Sequence, residues 1–212
     1  MINNQALDVL LDTRKKALAA HTGKTLDILL RLRAPATEDQ PSSRTPLALA
    51  LVIDRSGSMS RGKLREAKRC AVELINRLQE DDLVSVTLYD DTISPLVPLG
   101  TVREIRPRLA NQLAEIECGG STALHEGWLA GAQSLLPNSI ETQRIPQRTE
   151  YRLENYLKRV ILLTDGQANR GLVEIEPICE EVKEYARRGV STSTVGFGMD
   201  FNEELLTAMA KA

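Results

Sequence analysis

Five side chains of the sequence have the types and spacing that would hold a hard metal ion. A carboxylate and two hydroxyls alternate directly after a strongly apolar run, a second carboxylate stands in a Thr-Asp-Gly tripeptide after another apolar run, and a third hydroxyl follows two glycines. All of these donors are oxygens, the ligand type that Mg²⁺ prefers in proteins. No His or Cys lies in these three segments, which disfavours zinc. The five candidate ligands are Asp54, Ser56, Ser58, Thr122 and Asp165.

The elements that would position these side chains alternate between strand and helix along the chain. Continuous apolar runs such as Leu47–Ile53 are typical of strands covered on both faces, and apolar residues at helical spacing indicate amphipathic helices. The two prolines of Ile93–Leu99 restrict that segment to the edge of a sheet. Predicted strands cover residues 47–53, 83–89, 93–99, 160–163 and 191–195, and predicted helices cover 63–78, 103–115, 123–136 and 173–188, with a last helix beginning near Asn202.

This alternation predicts an α/β fold with a mainly parallel central sheet, helices on both faces and one antiparallel edge strand. Ligands of such sheets bind at the carboxyl ends of the strands, in the loops that lead into helices. Asp54 and Asp165 each follow a predicted strand, and Thr122 stands at the start of a predicted helix. We therefore expect the candidate ligands to meet at one edge of the sheet.

An N-terminal extension precedes the alternating elements. Two strand-like runs, residues 6–11 and 25–33, predict a β-hairpin in front of the α/β unit. We therefore expect an extension and linker over residues 1–45 and the α/β domain over residues 46–212.

One segment inside the predicted domain departs from the alternating pattern. Residues 137–158 are polar, charged and interrupted by prolines, which indicates a surface insertion with a short helix near Arg148–Leu157. The sequence also ends in a helical segment at Ala212, so we expect it to be cut from a longer protein.

Composition indicates a folded protein and excludes several classes of function. Hydrophobic residues make up 42% and charged residues 26% of the chain, as in ordinary globular proteins. The formal net charge of -2 provides no basic field for nucleic acid, and no apolar run approaches the ~20 residues that span a bilayer. Three scattered cysteines and the lack of a signal peptide favour a reducing, cytoplasmic location without membrane insertion.

The same motifs resemble the metal-ion-dependent adhesion site of von Willebrand factor type A domains, which have a Rossmann-like fold. The resemblance rests on Asp54-x-Ser-x-Ser58, then Thr122 after two glycines, then Asp165 in a Thr-Asp-Gly, and it covers residues 46–212. It is strongest to bacterial members of the family, related to the domains of inter-α-trypsin inhibitor heavy chains and calcium-activated-channel-like proteins. In those relatives β-structure precedes the α/β unit, whereas the long segment 137–158 departs from the family pattern.

The resemblance implies a non-catalytic, Mg²⁺-dependent protein-interaction module, with Mn²⁺ or Ca²⁺ as substitute ions. It assigns hydroxyl ligands to Ser56, Ser58 and Thr122, while Asp54 and Asp165 would bind the ion directly or through water. One coordination position would remain for an Asp or Glu carboxylate from a partner protein. Neutral hydroxyls leave the ion more positive than a cage of carboxylates would, which strengthens its attraction for that acidic residue.

Two other functions remain open from the sequence. A Mg²⁺-dependent Rossmann-like hydrolase or phosphatase would need a second aspartate two residues after Asp54 as a general acid, but Ser56 stands there. A structural assembly domain would use the N-terminal hairpin for contacts, and its ion would be incidental. Substitution of Asp54 and Ser56 separates the assembly domain from the interaction module, because partner binding that is unaffected by the change would favour the assembly domain.

Four further residues or pairs near the predicted loops have both a functional and an ordinary structural interpretation. Arg55 and Arg61 flank the first loop and would assist an acidic partner if they were free, although solvated arginines are commoner. His125 shares a helix face with Thr122, but a structural histidine is the commoner case. The pair Asp90-Asp91 suggests a second ion, yet acidic pairs in turns are frequent.

Overall fold

A computed structural model of the chain describes residues 8–13, 28–33, 44–136 and 152–212. The chain divides into two compact units, residues 1–44 and residues 45–212. In the first unit, strands β1 (Asp8–Thr13) and β2 (Ile28–Arg33) pair in antiparallel register. The predicted antiparallel pair is therefore present, and its first strand begins two residues later than predicted.

The second unit is built on a five-stranded sheet in the order β5-β4-β3-β6-β7. Its strands are β3 (Leu47–Asp54), β4 (Leu83–Tyr89), β5 (Ile93–Thr101), β6 (Leu157–Thr164) and β7 (Val190–Gly196). All neighbouring strands are parallel except β5, which runs antiparallel to β4 at one edge. Proline has no backbone N–H to donate to a neighbouring strand. An edge position therefore suits β5, which contains two prolines.

Among the described residues, five helices connect and cover the strands: α1 (Lys63–Asn76), α2 (Val102–Ala114), α3 (Leu124–Ser134), α4 (Ile175–Arg187) and α5 (Glu203–Lys211). One hydrophobic core lies between the sheet and α1 with α2, and a second lies between the sheet and α3, α4 and α5. The predicted α/β fold is confirmed: a mainly parallel sheet with helices on both faces and one antiparallel edge strand. Within the described residues, no helix combines the length and apolar character needed to cross a membrane.

Alternate residues of the central strand β3 serve the two cores. Leu49 and Leu51 belong to the core under α1 and α2, whereas Ala48 and Ala50 belong to the core under α3. The small alanine side chains let α3 approach the sheet closely. This approach determines where the loop that precedes α3 lies.

Two glycines of α3 make the close approach possible. A Cβ added at Gly131 would stand 2.3 Å from Cγ2 of Val52, and one added at Gly127 would stand 2.5 Å from Cγ of the Tyr89 ring. Both distances are far below van der Waals contact, so neither position has room for a side chain. The backbone of α3 therefore packs directly on β3 and β4.

The segment predicted as a surface insertion, residues 137–158, is shorter at its C-terminal end. Leu157 already belongs to β6, where it pairs with Leu47. Before it, Leu153 and Tyr156 are buried, and the described part of the predicted short helix contains a 3₁₀ turn at Leu153–Asn155. These two apolar residues pack into the core. The polar composition of the segment as a whole gave no indication of this packing. Residues 137–151 lie outside the described part of the chain.

Replacement of Gly131 by alanine tests the close packing of α3. We expect the free energy of unfolding, measured by urea denaturation, to fall by about 2 kcal/mol, because the new methyl group overlaps Val52. Helix propensity alone would favour alanine by about 1 kcal/mol, so the sign of the change identifies packing as its cause.

Gly119→Ala is the matched control for this substitution. A Cβ at Gly119 would meet nothing within 4 Å, so its stability should stay within about 1 kcal/mol of wild type. Equal stability of the two variants would contradict the close packing of α3.

Candidate metal site

Four of the five candidate ligands form one hydrogen-bonded cluster at the carboxyl edge of the sheet. Asp54 is the last residue of β3, and its Oδ1 accepts a hydrogen bond from the backbone N–H of Ser56 at 2.8 Å. The Oγ atoms of Ser56 and Ser58 lie 3.0 Å apart. The Ser58 hydroxyl also donates to Oδ1 of Asp165, the residue that follows β6, at 3.2 Å. The structure thus brings together side chains from the ends of two neighbouring strands.

Backbone hydrogen bonds place the fifth candidate, Thr122, at the same edge. The N–H of Gly57 donates to the carbonyl of Gly120 at 3.1 Å, which ties the serine turn to the loop that contains Thr122. Asn169 secures the other side, because its Oδ1 accepts from the N–H of Thr122 at 2.8 Å and its own N–H donates to the Thr122 carbonyl at 3.2 Å. Thr122 is 1% exposed and lies between these two loops.

The carboxylate of Asp54 is fully buried and held by hydrogen bonds alone. Its Oδ2 accepts from the hydroxyl of Thr164 at 2.6 Å and from the hydroxyl of Tyr89 at 3.1 Å. Within the described residues, no Lys or Arg pairs with this carboxylate. Burial raises the pKa of Asp54 above its usual value, hydrogen bonds from Ser56 and Thr164 oppose the shift, and the charge of Asp165 adds to it.

The second buried carboxylate, Asp165, has a cation as its partner. Nζ of Lys63 lies 3.1 Å from Oδ2 of Asp165 and 2.8 Å from Oδ1 of Asp200. Burial tends to lower the pKa of Lys63, but hydrogen bonds to Asp200 and Asp165 raise it above its usual value. The ammonium group is therefore charged at neutral pH. Of the two candidate carboxylates, Asp165 is paired with a cation, whereas Asp54 is held by hydrogen bonds.

Sequence reasoning missed four residues that hold this site, namely Lys63, Tyr89, Thr164 and Asn169. Thr164 was visible in the Thr-Asp-Gly tripeptide but was not recognised as the residue that holds Asp54. Tyr89 gave no signal beyond its place at a strand end, since its role follows from the register that sets it opposite Asp54.

Charged residues beside the site have partners or turn positions within the chain. Nε of Arg55 lies 3.1 Å from Oδ2 of Asp90, so this arginine is paired within the chain. Oδ1 of Asp90 accepts from both the N–H and the hydroxyl of Thr92 at 2.8 Å, which closes a turn. Arg61 is exposed and adopts a left-handed backbone conformation with φ 58°. The part of the chain described by the structure contains no group of three or more His, Cys, Asp and Glu suited to a metal ion.

His125 contacts residues of α3 and α4. Its Nε2 lies 2.7 Å from Oε2 of Glu181 on α4, and its ring stacks obliquely beside Trp128 at 6.2 Å. It therefore joins α3 to α4, the structural role that was the commoner expectation. The described residues consequently offer Ser56 and Ser58 no histidine that would act as a base.

The donor set fits a hard divalent cation. It contains two carboxylates and three hydroxyls, all oxygen donors, and one of the carboxylates is buried without a cationic partner. A buried carboxylate without a countercharge is electrostatically costly, and a bound cation would relieve that cost.

Comparison with known proteins gives a family match over most of the chain. The model of the von Willebrand factor type A domain family matches residues 48–212. An uncharacterized protein of Synechocystis sp. is 29% identical over 185 residues, which cover 85% of this chain and 39% of that protein. Human inter-alpha-trypsin inhibitor heavy chain H3 is 30% identical over 167 residues, which cover 78% of this chain and 18% of that protein. The chain thus spans less than half the length of these relatives.

A solved structure supports the fold. The manganese-loaded TRAP protein of Plasmodium vivax matches with a TM-score of 0.60 at 20% sequence identity, over 79% of this chain and 63% of that chain. At this level of identity, the likeness shows the fold alone.

The raised pKa of Asp54 predicts a stability difference between wild type and Asp54→Asn in the presence of chelator. Between the unfolded value near 3.8 and the higher folded value, the folded protein keeps a proton that the unfolded chain releases. The contribution of this carboxyl to stability therefore declines as pH rises through the folded pKa. We expect Asp54→Asn to become more stable relative to wild type as pH rises above about 4 and through the folded pKa, as measured by urea denaturation.

Asp90→Asn is the matched control with the opposite sign. Burial tends to raise the pKa of Asp90, but hydrogen bonds from Thr92 and the charge of Arg55 lower it overall. Its contribution to stability is present above the unfolded value and is lost at lower pH, so Asp90→Asn should lose stability relative to wild type as pH rises. Parallel curves for the two variants would contradict this account.

Proposed function

The chain belongs to the von Willebrand factor type A family, and we propose that it is a non-catalytic protein-interaction domain that works through a divalent metal ion. The residues proposed to hold the ion are Asp54, Ser56, Ser58, Thr122 and Asp165. The observation that carries the proposal is the buried Asp54 carboxylate, which lies in a set of oxygen donors and has no cationic partner among the described residues.

We assign Mg²⁺ as the ion, with Mn²⁺ or Ca²⁺ as substitutes. Hydroxyl and carboxylate oxygens suit hard cations, and the serine pair Ser56 and Ser58 already lies at hydrogen-bond distance beside Asp165. The manganese-loaded state of the Plasmodium vivax TRAP protein supports a divalent ion in this family. When bound, the ion supplies a positive centre that attracts a carboxylate from outside the chain.

The proposed partner is a protein that presents an Asp or Glu side chain. Three of the five proposed ligands are neutral, and the charge of Asp165 is compensated by Lys63. The proposed ligand set supplies only two carboxylates, and Lys63 offsets part of their charge, which favours an acidic group of the partner as the additional ligand. The carboxyl edge of the sheet is also the position where α/β folds bind their ligands.

Hydrolase chemistry has little support in the described residues. The hydroxyls of Ser56 and Ser58 bond to each other and to Asp165, while His125 bonds to Glu181 on another helix. An activated serine needs a free base, and the carboxylate that Ser58 reaches, Asp165, is paired with Lys63. An interaction domain therefore explains the donor set better than an enzyme does.

Calorimetric titration of Mg²⁺ and Mn²⁺ into chelator-treated protein tests the site. We expect saturable binding of one ion to wild type and loss of binding in Asp54→Ala. The variant has lost the buried carboxylate that no Lys or Arg of the described residues compensates. Asp81→Ala is the control: it also removes one carboxylate, but its side chain is 82% exposed and precedes β4 at the opposite edge of the sheet. Wild-type affinity in Asp54→Ala would refute the assignment.

A second titration tests the carboxylate of the partner. A short peptide with one aspartate should bind wild type in Mg²⁺ and dissociate in EDTA, and should raise the apparent affinity for Mn²⁺. The same peptide with asparagine should do neither, because an amide carries no negative charge. Fluorescence anisotropy of the labelled peptides measures binding, and equal binding of both peptides would contradict the proposed role of the ion.

A further inference from the structure

The side chain of Lys63 reaches into the candidate metal site from the first turn of α1. We propose that Lys63 is a tethered cation, which compensates Asp165 in the metal-free protein and weakens the binding of a divalent ion. This inference rests on the proposed metal site and names the residue that sets its affinity. The Lys63 ammonium group would then compete with the metal ion for Asp165.

The contacts of Lys63 are specific and partly buried. Its side chain is 16% exposed, and its Nζ bridges Asp165 on one loop and Asp200 on another, at 3.1 and 2.8 Å. Asp165 is fully buried, whereas the side chain of Asp200 is 64% exposed. The ammonium group therefore compensates a candidate ligand that solvent does not reach.

The backbone around Lys63 is shaped to admit this side chain. Gly62, immediately before it, has φ 95°, and Arg61 has φ 58°, so two successive left-handed residues turn the chain into α1. On the opposite loop, a Cβ added at Gly198 would stand 2.6 Å from Cε of Lys63. The end of the lysine side chain therefore lies close to the backbone of the β7–α5 loop at Gly198.

The position of Lys63 in its own helix also needs an explanation. It is the first residue of α1, where the helix dipole favours acidic side chains and disfavours cations. Asp165 and Asp200 provide the compensating negative charge. The lysine is thus explained by the carboxylates of the site rather than by the helix that carries it.

A charge argument gives the direction of the effect. An ammonium group bonded to one proposed ligand repels a divalent ion held by the same set, and the repulsion is strong in a site with little solvent. Removal of this charge should therefore tighten binding. We expect Lys63→Met to bind Mg²⁺ and Mn²⁺ roughly tenfold more tightly than wild type.

The test compares Lys63→Met with Arg69→Met by calorimetric titration of both ions. Arg69→Met removes one positive charge from the same helix, but that side chain is 82% exposed and pairs only with Glu66 among the described residues. It should bind both ions like wild type. Lys63→Gln is the second variant in case Lys63→Met does not fold, because its amide retains a donor for Asp165 without the charge.

A second readout examines the metal-free protein. In chelator, Lys63→Met should unfold at a lower temperature than Arg69→Met, because Asp165 is left buried without its cation. Added Mg²⁺ should then raise the unfolding temperature of Lys63→Met more than that of wild type.

The outcomes separate the two proposals. Tighter binding in Lys63→Met or Lys63→Gln, with Arg69→Met unchanged, supports the tethered cation. Equal or weaker binding in both Lys63 variants overturns it and leaves the metal site in place. If neither wild type nor any variant binds an ion, the proposed metal site itself is overturned, and the tethered cation with it.

Discussion

The structure depends on the burial of one charged group, the Asp54 carboxylate at the end of the central strand. A carboxylate without contact to water is stable only when its oxygens accept hydrogen bonds, and those donors must arrive from different parts of the chain. The Ser56 N–H comes from the following turn, the Tyr89 hydroxyl from β4 and the Thr164 hydroxyl from β6. Strand register meets this requirement: Asp54 lies opposite Tyr89, and Ile53 lies opposite Leu163, which places Thr164 beside Asp54.

Tyr89 both donates a hydrogen bond to Asp54 and packs in the core. Its hydroxyl donates to Asp54, while its ring fills the space left by the missing side chain of Gly127 on α3. The loop before α3 carries Thr122, so the depth at which α3 packs also sets the position of that hydroxyl. The apolar core and the candidate metal site are therefore one arrangement, and a change at the glycines of α3 would disturb both.

The sequence predicted those features that depend on local patterns. The strand that ends at Asp54, the helix that follows Thr122 and the start of the last helix near Asn202 all follow from periodicity and residue type. Features that depend on register or loop closure were out of reach. Lys63 lies 102 residues from Asp165, and no one-dimensional pattern records that these two groups meet. The partner of His125 could not be predicted from its helix face for the same reason, because Glu181 on α4 supplies it.

The distance along the chain between the two halves of the site has a consequence for how the protein is made. Thr164 lies 110 residues after Asp54, so a ribosome that adds ~5–20 residues per second needs roughly 5–20 s to synthesise the chain between them. During that interval β4 is available to pair with β3, but β6 is not, and one edge of the central strand stays open. Until β6 is synthesised, the hydroxyl of Thr164 is not available to Asp54, so this carboxylate cannot be buried with its full set of donors.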